Sequence, residues 1–509
     1  MIPVHDLLRR SAAERPSKEA VACGATRLSY SALNDGSEAV ARFLTAHGVA
    51  RGDRVGIFTA KSAEETIALF GILKSGAAFV HINPFYREAH LRHVIADCGL
   101  KAIFIDDSRW RIFAAAYPER CPVELVVSLS AATPSRSLPN GHTPETLEDI
   151  CRTFAHDGEL PTTLAPDDVA AIVYTSGSTG MPKGIVVTHQ IFHDATVHSA
   201  AVLGNTSEDR LISVTPLSFD GALSQLFTAI LVGGTLVQQQ SVLHGDVVKA
   251  LQGERVTGVH AMPSFWRTLL HPRSPFSTQS FPSLRYVSII GEATPKTVLV
   301  RLRAILPDCH FYMMYGTTEA FRSTYLPPQD LDRKEGSAGI PFPGVKISIV
   351  REDGTRCPPG EVGMIVHQGS FVSPGYWNHA ALTAATFRDD GLYTGDLGRV
   401  DQDGYLYVVG RDDGLIKTMG FRVSPEEVEN CLFEIEGISE AVVVAVTDPD
   451  GATTLKAVLV CDGESPPSTH DVRRHCRDRL PHYMVPTSVE FRAALPKTTS
   501  NKISRTAVH

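Results

Sequence analysis

The sequence predicts an α/β protein: a large N-terminal domain of layered α/β subdomains with a β-rich part, followed by a small α+β C-terminal domain. Three observations predict it. Short apolar runs alternate with helical patterns between residues 29 and 290, the spacing of strand and helix layers built on a largely parallel sheet. Residues 338–410 turn to short strands broken by Asp353-Gly354, Pro359-Gly360 and Asp403-Gly404, which are turn signals. Around 411–413 the character changes again, to a capped helix and β-branched strands. At 509 residues the chain is also too long for one core.

In order, a helix through Val40, Phe43 and Leu44 stops at Gly48 and leads to a strand at 55–58. The pattern repeats with a helix through Ile67, Phe70 and Leu73 and a strand at 77–82, and further strands follow at 102–105 and 125–127. Residues 130–165 are rich in Pro, Ser and Thr and read as a surface connection. Strands at 211–214 and 234–237 bracket a helix near 221–232, and strands at 256–259 and 284–290 flank a helix at 264–270. Ser424-Pro-Glu-Glu427 is a capping box with Pro at the first helical position, opening a helix that Gly437 ends. Strands at 441–446 and 455–460 and a helix at 470–480 complete the small domain. The expected domains are residues 1–411 and 412–509.

Composition excludes several classes. Hydrophobic residues at 43% and charged residues at 20% describe an ordinary globular protein, and a net charge of −8 argues against bulk nucleic-acid binding. Nine scattered cysteines without a CxxC read as reduced thiols. With no signal peptide and no membrane span evident, a cytoplasmic location is expected.

The chain is organised around Tyr174-Thr-Ser-Gly-Ser-Thr-Gly-Met-Pro-Lys-Gly184, which follows the buried-strand run Ala170-Ala-Ile-Val173. Gly177, Gly180 and Gly184 let backbone amides turn toward a ligand, Thr175, Ser176, Ser178 and Thr179 add hydroxyls, and Lys183 adds a positive charge. That set suits a polyphosphate, and it lacks the GxxxxGK[ST] spacing of a Walker A loop. It resembles the phosphate loop of the adenylate-forming (ANL) enzymes: acyl- and aryl-CoA ligases, luciferases and the adenylation domains of nonribosomal peptide synthetases. The resemblance runs from about residue 7 to 505, with motif order preserved.

What the resemblance implies can be placed residue by residue. Tyr315-Gly316-Thr-Thr318-Glu319 is similar to the motif whose ring stacks on adenine, whose threonine touches phosphate and whose glutamate holds Mg²⁺; one carboxylate with phosphate oxygens is how proteins usually hold that ion. Gly291-Glu292-Ala293 resembles the segment lining the adenine. Asp396, in Tyr393-Thr-Gly-Asp-Leu397, matches the ribose motif. Arg411 is placed toward the ribose and Asp413 as the hinge of a mobile C-terminal domain. Leu495-Pro-Lys-Thr-Thr-Ser-Asn-Lys502-Ile-Ser-Arg505 resembles the terminal motif carrying the catalytic lysine, which puts it at Lys502, with Asn501 in place of the usual Gly. ATP and Mg²⁺ are therefore expected.

Two features resemble the peptide-synthetase branch: Gly71-Ile-Leu-Lys-Ser-Gly-Ala-Ala-Phe-Val-His-Ile-Asn-Pro84, and Pro216-Leu-Ser-Phe-Asp220, whose aspartate in amino-acid-activating members pairs with the substrate ammonium. A carboxylate in a pocket asks for a cation; the alternative is that Asp220 merely caps a helix before Gly221. Motif alignment gives the remaining pocket positions as Gly221, Ser224, Ala261, Ser288, Ile290, Met314, Arg322 and Ser323. A guanidinium at Arg322 asks for an anion, preferably a second carboxylate, unless it points outward to a surface acid. An amino-dicarboxylic acid of the aspartate or 3-methylaspartate type is the expected substrate, and stand-alone enzymes that activate β-amino acids for macrolactam polyketides are the nearest resemblance. The expected acceptor is the phosphopantetheine thiol of a carrier protein acting in trans; Arg473, Arg474, Arg477 and Arg479 form either a docking patch for it or an ordinary solvated helix face. Alternatives are an acyl- or aryl-CoA ligase, an enzyme for a neutral amino acid, and a catalytically silent nucleotide-binding scaffold.

Overall fold

A computed structural model describes residues 2–508 except 120, 131–143, 156–159, 161–163, 176–180, 272, 292–293, 295, 412–415, 449–450, 462–466 and 497–507. The large domain is built on two sheets with helices packed over them. The first has seven strands in the order Glu145–Thr146, Leu125–Ser128, Ala102–Ile105, Arg54–Phe58, Ala78–His81, Val169–Thr175, Lys183–Thr188. All its pairings are parallel except the last, an antiparallel hairpin. The second has nine strands, with a parallel centre made of Thr235–Gln238, Arg210–Ser213, Gly258–Ala261, Tyr286–Ile289 and His310–Tyr315.

The apolar runs explain this layering. The helix Ala63–Lys74 is buried along nearly its whole length, so it packs as an inner layer instead of presenting a polar face to water. Tyr30–Ala46 packs on it and shows exposed positions on its other side. Phe43, Phe70, Phe79, Phe192 and Phe227 fill the shared core between the sheets. Strand ends are set by the same chemistry: Gly99, Gly204 and Gly233 each close a helix in the left-handed conformation before the chain enters a strand.

Residues 345–411 form a five-stranded sheet, as the turn-rich sequence there leads one to expect. The small domain has a ribbon, Ile416–Thr418 with Phe421–Val423, and a three-stranded sheet of Ile438–Thr447, Thr453–Cys461 and Ser488–Phe491 under helices Pro425–Phe433 and Thr469–Arg479. Ser424 caps the first of these helices by accepting from Glu427 N, and the helix ends at Phe433, short of Gly437. Small and large domains meet through buried side chains. The Asn83 side-chain amide donates to Tyr483 Oη at 3.2 Å, His90 pairs with Glu427, and Phe219 and Phe421 meet edge to face with centroids 5.1 Å apart. No helix of the described residues is long and apolar enough to cross a membrane.

Candidate active site

The site lies at the carboxyl ends of the parallel strands, where open α/β sheets bind ligands. Thr215, Ala261, Ile290 and Gly316 each sit at or just beyond the end of such a strand, and all line one cavity. Thr175, Asp220, Gly221, Gly291 and Thr318 line it too, and Gly420, Phe421 and Tyr483 of the small domain close one side.

Lys183 is the first residue of the strand Lys183–Thr188. Tyr174 and Thr175 pair with Gly184 and Lys183 in an antiparallel ladder that the β-branched run from Ile185 to Thr188 continues, so these four residues, read as the ends of the phosphate loop, belong to the sheet. Lys183 Nζ donates to Tyr376 Oη at 3.0 Å and lies 3.5 Å from Glu319 Oε1, while the Tyr376 phenol donates to the same carboxylate oxygen at 2.8 Å. Glu319 is only 5% exposed. Tyr376 carries no mark in the sequence: Ser373-Pro-Gly-Tyr376 reads as a turn, and nothing local makes the phenol part of a site.

Two residues beyond Glu319, Phe321 adopts a left-handed backbone, φ 54°, uncommon for a bulky side chain. The bend lies between a buried Glu319 and a buried Arg322. A second cavity is lined by Met313, Met314 and Tyr315 and shares Gly291, Gly316 and Lys417 with the first. The Tyr315 phenol donates to Asp396 Oδ2 at 2.7 Å, and Lys417 Nζ is 4.0 Å from Asp396 Oδ1. Asp396 stands opposite Arg411 in the antiparallel ladder.

Asp220 is the first residue of the helix Asp220–Val232, whose cap is Phe219, so the carboxylate meets the positive end of the helix without being its cap. Its Oδ1 accepts from Gly221 N at 2.7 Å. Arg322 is 3% exposed; burial lowers its pKa, and the Asp220 charge opposes that shift. The guanidinium donates to Phe321 O at 3.0 Å. The Asp220 charge thus reaches Arg322, which is buried and does not turn outward to a surface acid.

The other expected substrate positions divide. Gly221, Ala261 and Ile290 line the main cavity, and Ser224, Met314 and Arg322 line a narrow chamber behind it. Ser288 is fully buried and reaches the pocket only through His260, whose Nδ1 lies 2.7 Å from its Oγ. Ser323 is not brought to the site: its Oγ lies 2.9 Å from His367 Nδ1, and burial lowers the pKa of that imidazole to about 4. Ser176, Gly177, Ser178, Thr179, Gly180, Glu292, Ala293, Asp413 and Lys502 lie outside the described residues. Of the basic cluster, Arg474 pairs with Asp471 at 2.7 Å and Arg479 with Glu434 at 2.8 Å.

Comparison with known proteins extends this geometry to the whole chain. Residues 8–377 match the model of the AMP-binding enzyme family, and residues 427–502 match that of the AMP-binding enzyme C-terminal domain. The chain is 28% identical over 514 residues to bacitracin synthase 3 of Bacillus licheniformis; the match takes in 99% of this chain and only 8% of that protein's length. It is 32% identical over 501 residues to feruloyl-CoA synthase of an Amycolatopsis species, covering 97% of this chain and 96% of that one. A solved structure of a double mutant of o-succinylbenzoate CoA synthetase (MenE) from Bacillus subtilis superposes with a TM-score of 0.85 at 27% identity, covering 100% of this chain and 98% of that chain. A hydroxyl- and lysine-bearing hairpin facing a buried glutamate, a tyrosine tied to a buried aspartate, and the two family matches together make this chain a member of the AMP-binding, adenylate-forming enzyme family.

Proposed function

We propose that the chain adenylates an amino acid, an amino-dicarboxylate of the aspartate or 3-methylaspartate type, and passes it to the phosphopantetheine thiol of a carrier protein. The observation that carries this reading is that Asp220 lines the main cavity and Arg322 the adjoining chamber, near enough for the aspartate charge to act on the buried guanidinium. A carboxylate beside the cavity offers a site to a substrate ammonium, and a buried guanidinium offers one to a second carboxylate. Ile290 on the main cavity and Met314 on the chamber add apolar lining. An aspartate skeleton carries an amine for the one group, a far carboxylate for the other and a second carboxylate for the nucleotide. Activation of β-amino acids belongs to the same reading.

The residues also suit Mg·ATP. Among the described residues no cluster of three or more metal-binding side chains occurs, and Glu319 is a single buried carboxylate, the arrangement that serves Mg²⁺ carried on a polyphosphate. Bound there, the ion would neutralise charge on the phosphate oxygens. Lys183 sets a positive charge beside the same carboxylate, and the Tyr376 phenol fixes the orientation of both. Tyr315 offers a ring to adenine and Asp396 a carboxylate to the ribose. In the first half-reaction the substrate carboxylate attacks the α-phosphorus and pyrophosphate leaves, with Lys502 offsetting the charge that builds. Rotation of the small domain about Asp413 then admits the thiol.

Substrate-dependent ATP–pyrophosphate exchange tests the reading. Preference for aspartate or 3-methylaspartate over neutral amino acids supports it; response to neutral amino acids alone leaves Asp220 and removes Arg322 from recognition. A second reading, an acyl- or aryl-CoA ligase, is favoured by the end-to-end likeness to feruloyl-CoA synthase. Exchange with amine-free acids only, and discharge of the adenylate by coenzyme A, would select it.

A further inference from the structure

The narrow chamber behind the main cavity is lined by polar atoms that lack partners. Ser199 Oγ, Gln225 Oε1 and His260 Nε2 are all buried with no hydrogen-bond partner among the described residues, and all three side chains line it together with Arg322. A buried donor or acceptor left unpaired is costly, so a lining with three of them beside a guanidinium is built for a polar occupant.

His260 is the member that faces both spaces, lining the main cavity and the chamber. It occupies the position paired with Ser288 on the neighbouring parallel strand, so both side chains leave the sheet on one face. Among the described residues Ser288 Oγ has one hydrogen-bond partner, His260 Nδ1, at 2.7 Å. A hydroxyl proton with a single acceptor in reach donates to it, which makes Nδ1 the acceptor and leaves the proton on Nε2. Burial first, and then the charge of Arg322, hold the imidazole pKa well below the ordinary histidine value, so the ring is neutral. Gly221 keeps this N–H accessible: a Cβ built there would stand 3.0 Å from His260 Nε2.

We infer that His260, oriented by Ser288, is a specificity-determining residue whose Nε2–H, together with Arg322, binds an acceptor oxygen at the far end of the acyl substrate. The inference rests on the proposed amino-acid substrate only for the identity of that oxygen, the second carboxylate of an amino-dicarboxylate. Ser288 is a positioning residue that acts through the imidazole. The substrate class is an acid with a small, oxygen-bearing terminus; a terminal methyl would leave the N–H buried without an acceptor and the guanidinium with the Phe321 carbonyl as its one acceptor among the described residues.

The test is ATP–pyrophosphate exchange on the full chain with aspartate and with 2-aminobutyrate, which replaces the far carboxylate by a methyl. His260→Phe is expected to raise the aspartate KM about ten- to a hundredfold, the worth of a hydrogen bond to a charged group, with the ATP KM unchanged. It is expected to leave the 2-aminobutyrate KM unchanged or lower it. His260→Gln, which keeps an N–H at that reach, should restore most of the aspartate affinity, and Ser288→Ala should give an intermediate loss. Equal KM changes for both acids, or a fall in kcat with KM untouched, would overturn the inference. If the wild type ignores aspartate and 3-methylaspartate but activates another acid, the amino-dicarboxylate reading fails separately. The same variants are then compared on that acid and its analogue lacking the terminal oxygen, and equal sensitivity of the two overturns the role of His260.

Discussion

Lys183 Nζ and Glu319 Oε1 stand 3.5 Å apart with the hydroxyl of Tyr376 bonded to both. The phenol accepts from the ammonium and donates to the carboxylate, so it sets the spacing of the two charges that a Mg-polyphosphate would meet. The ammonium also sits over the Tyr376 ring, 4.2 Å from its centroid.

Tyr376→Phe keeps the ring and removes both hydrogen bonds. With the charges no longer tethered, exchange activity is expected to fall about tenfold, near the worth of one charge-assisted hydrogen bond, and to show in the ATP KM more than in the amino-acid KM. Steady-state exchange at varied ATP and varied acid separates the two. An unchanged ATP KM would mean that the phenol only braces the fold.

Arg322 and Asp220 are separable. Arg322→Met removes the charge while preserving length and apolar stem; it is expected to cut kcat/KM for amino-dicarboxylates about a hundredfold and to leave neutral amino acids as substrates. Asp220→Asn is expected to reduce exchange with every amine-bearing acid. If amine-free acids are the true substrates, Asp220→Asn leaves exchange with them unchanged and lowers only the stability of the fold, because the aspartate then serves to offset the buried Arg322 charge.

Much of this is legible in the sequence. β-branched and aromatic runs of four to six residues name the central strands, and the motif order singles out Lys183, Tyr315, Glu319 and Asp396, which the structure groups in two linked clusters. What escapes depends on which way a side chain leaves the backbone. Arg322 and Ser323 are neighbours leading into the strand Thr324–Leu326, where consecutive side chains take opposite faces; one lines the chamber and the other bonds His367. His260 falls just past the strand read at 256–259 and inside the observed strand Gly258–Ala261, and its meaning comes from Ser288 one strand away. The contacts of Asn83, His90 and Phe219 with the small domain join residues hundreds of positions apart and leave no local trace.

Lys61 carries a pH signature. Its ammonium lies inside the large domain, donating to Ser213 O at 2.9 Å and Gln239 O at 3.0 Å, and burial lowers its pKa to about 7. A neutral amine still has two N–H groups for these two carbonyls. A folded pKa below the unfolded one means that the unfolded chain binds the extra proton between pH 7 and the ordinary lysine value of 10.5, so this group makes stability rise with pH across that window. Cys23, whose thiol burial raises from 9.0 to about 11, acts in the opposite sense above pH 9. Lys74, which burial also lowers to about 7, adds a rise of the same sign that the variant keeps, so between pH 7 and 9 Lys61→Met is expected to flatten the rise of the unfolding free energy, read from urea titrations, by about 1 kcal/mol per pH unit without abolishing it. Parallel curves for wild type and variant would show that the ammonium stays charged on its two carbonyls.

The turn of the small-domain ribbon gives a way to separate the two half-reactions. Gly420 has φ +80° and packs so closely on the large domain that a Cβ would lie 1.4 Å from Met262 Sδ. Gly420→Ala therefore opposes this docking of the small domain unless the Met262 side chain moves aside, and strains the ribbon turn at φ +80°, while the core of that domain, centred on Val428, Leu432, Leu459 and Val472, is untouched. If this arrangement serves thiol transfer, Gly420→Ala leaves ATP–pyrophosphate exchange within about twofold, because a side chain that touches only the docked state acts on that state alone, and it abolishes loading of the phosphopantetheine thiol. Lys502→Ala is expected to do the reverse, eliminating exchange while sparing thiolysis of a supplied aminoacyl-adenylate. Met262→Ala in the Gly420→Ala background supplies the control: removing the Met262 side chain relieves the overlap and should return part of the transfer activity. Loss of exchange in Gly420→Ala, with transfer from supplied adenylate intact, would assign this docking to adenylate formation instead.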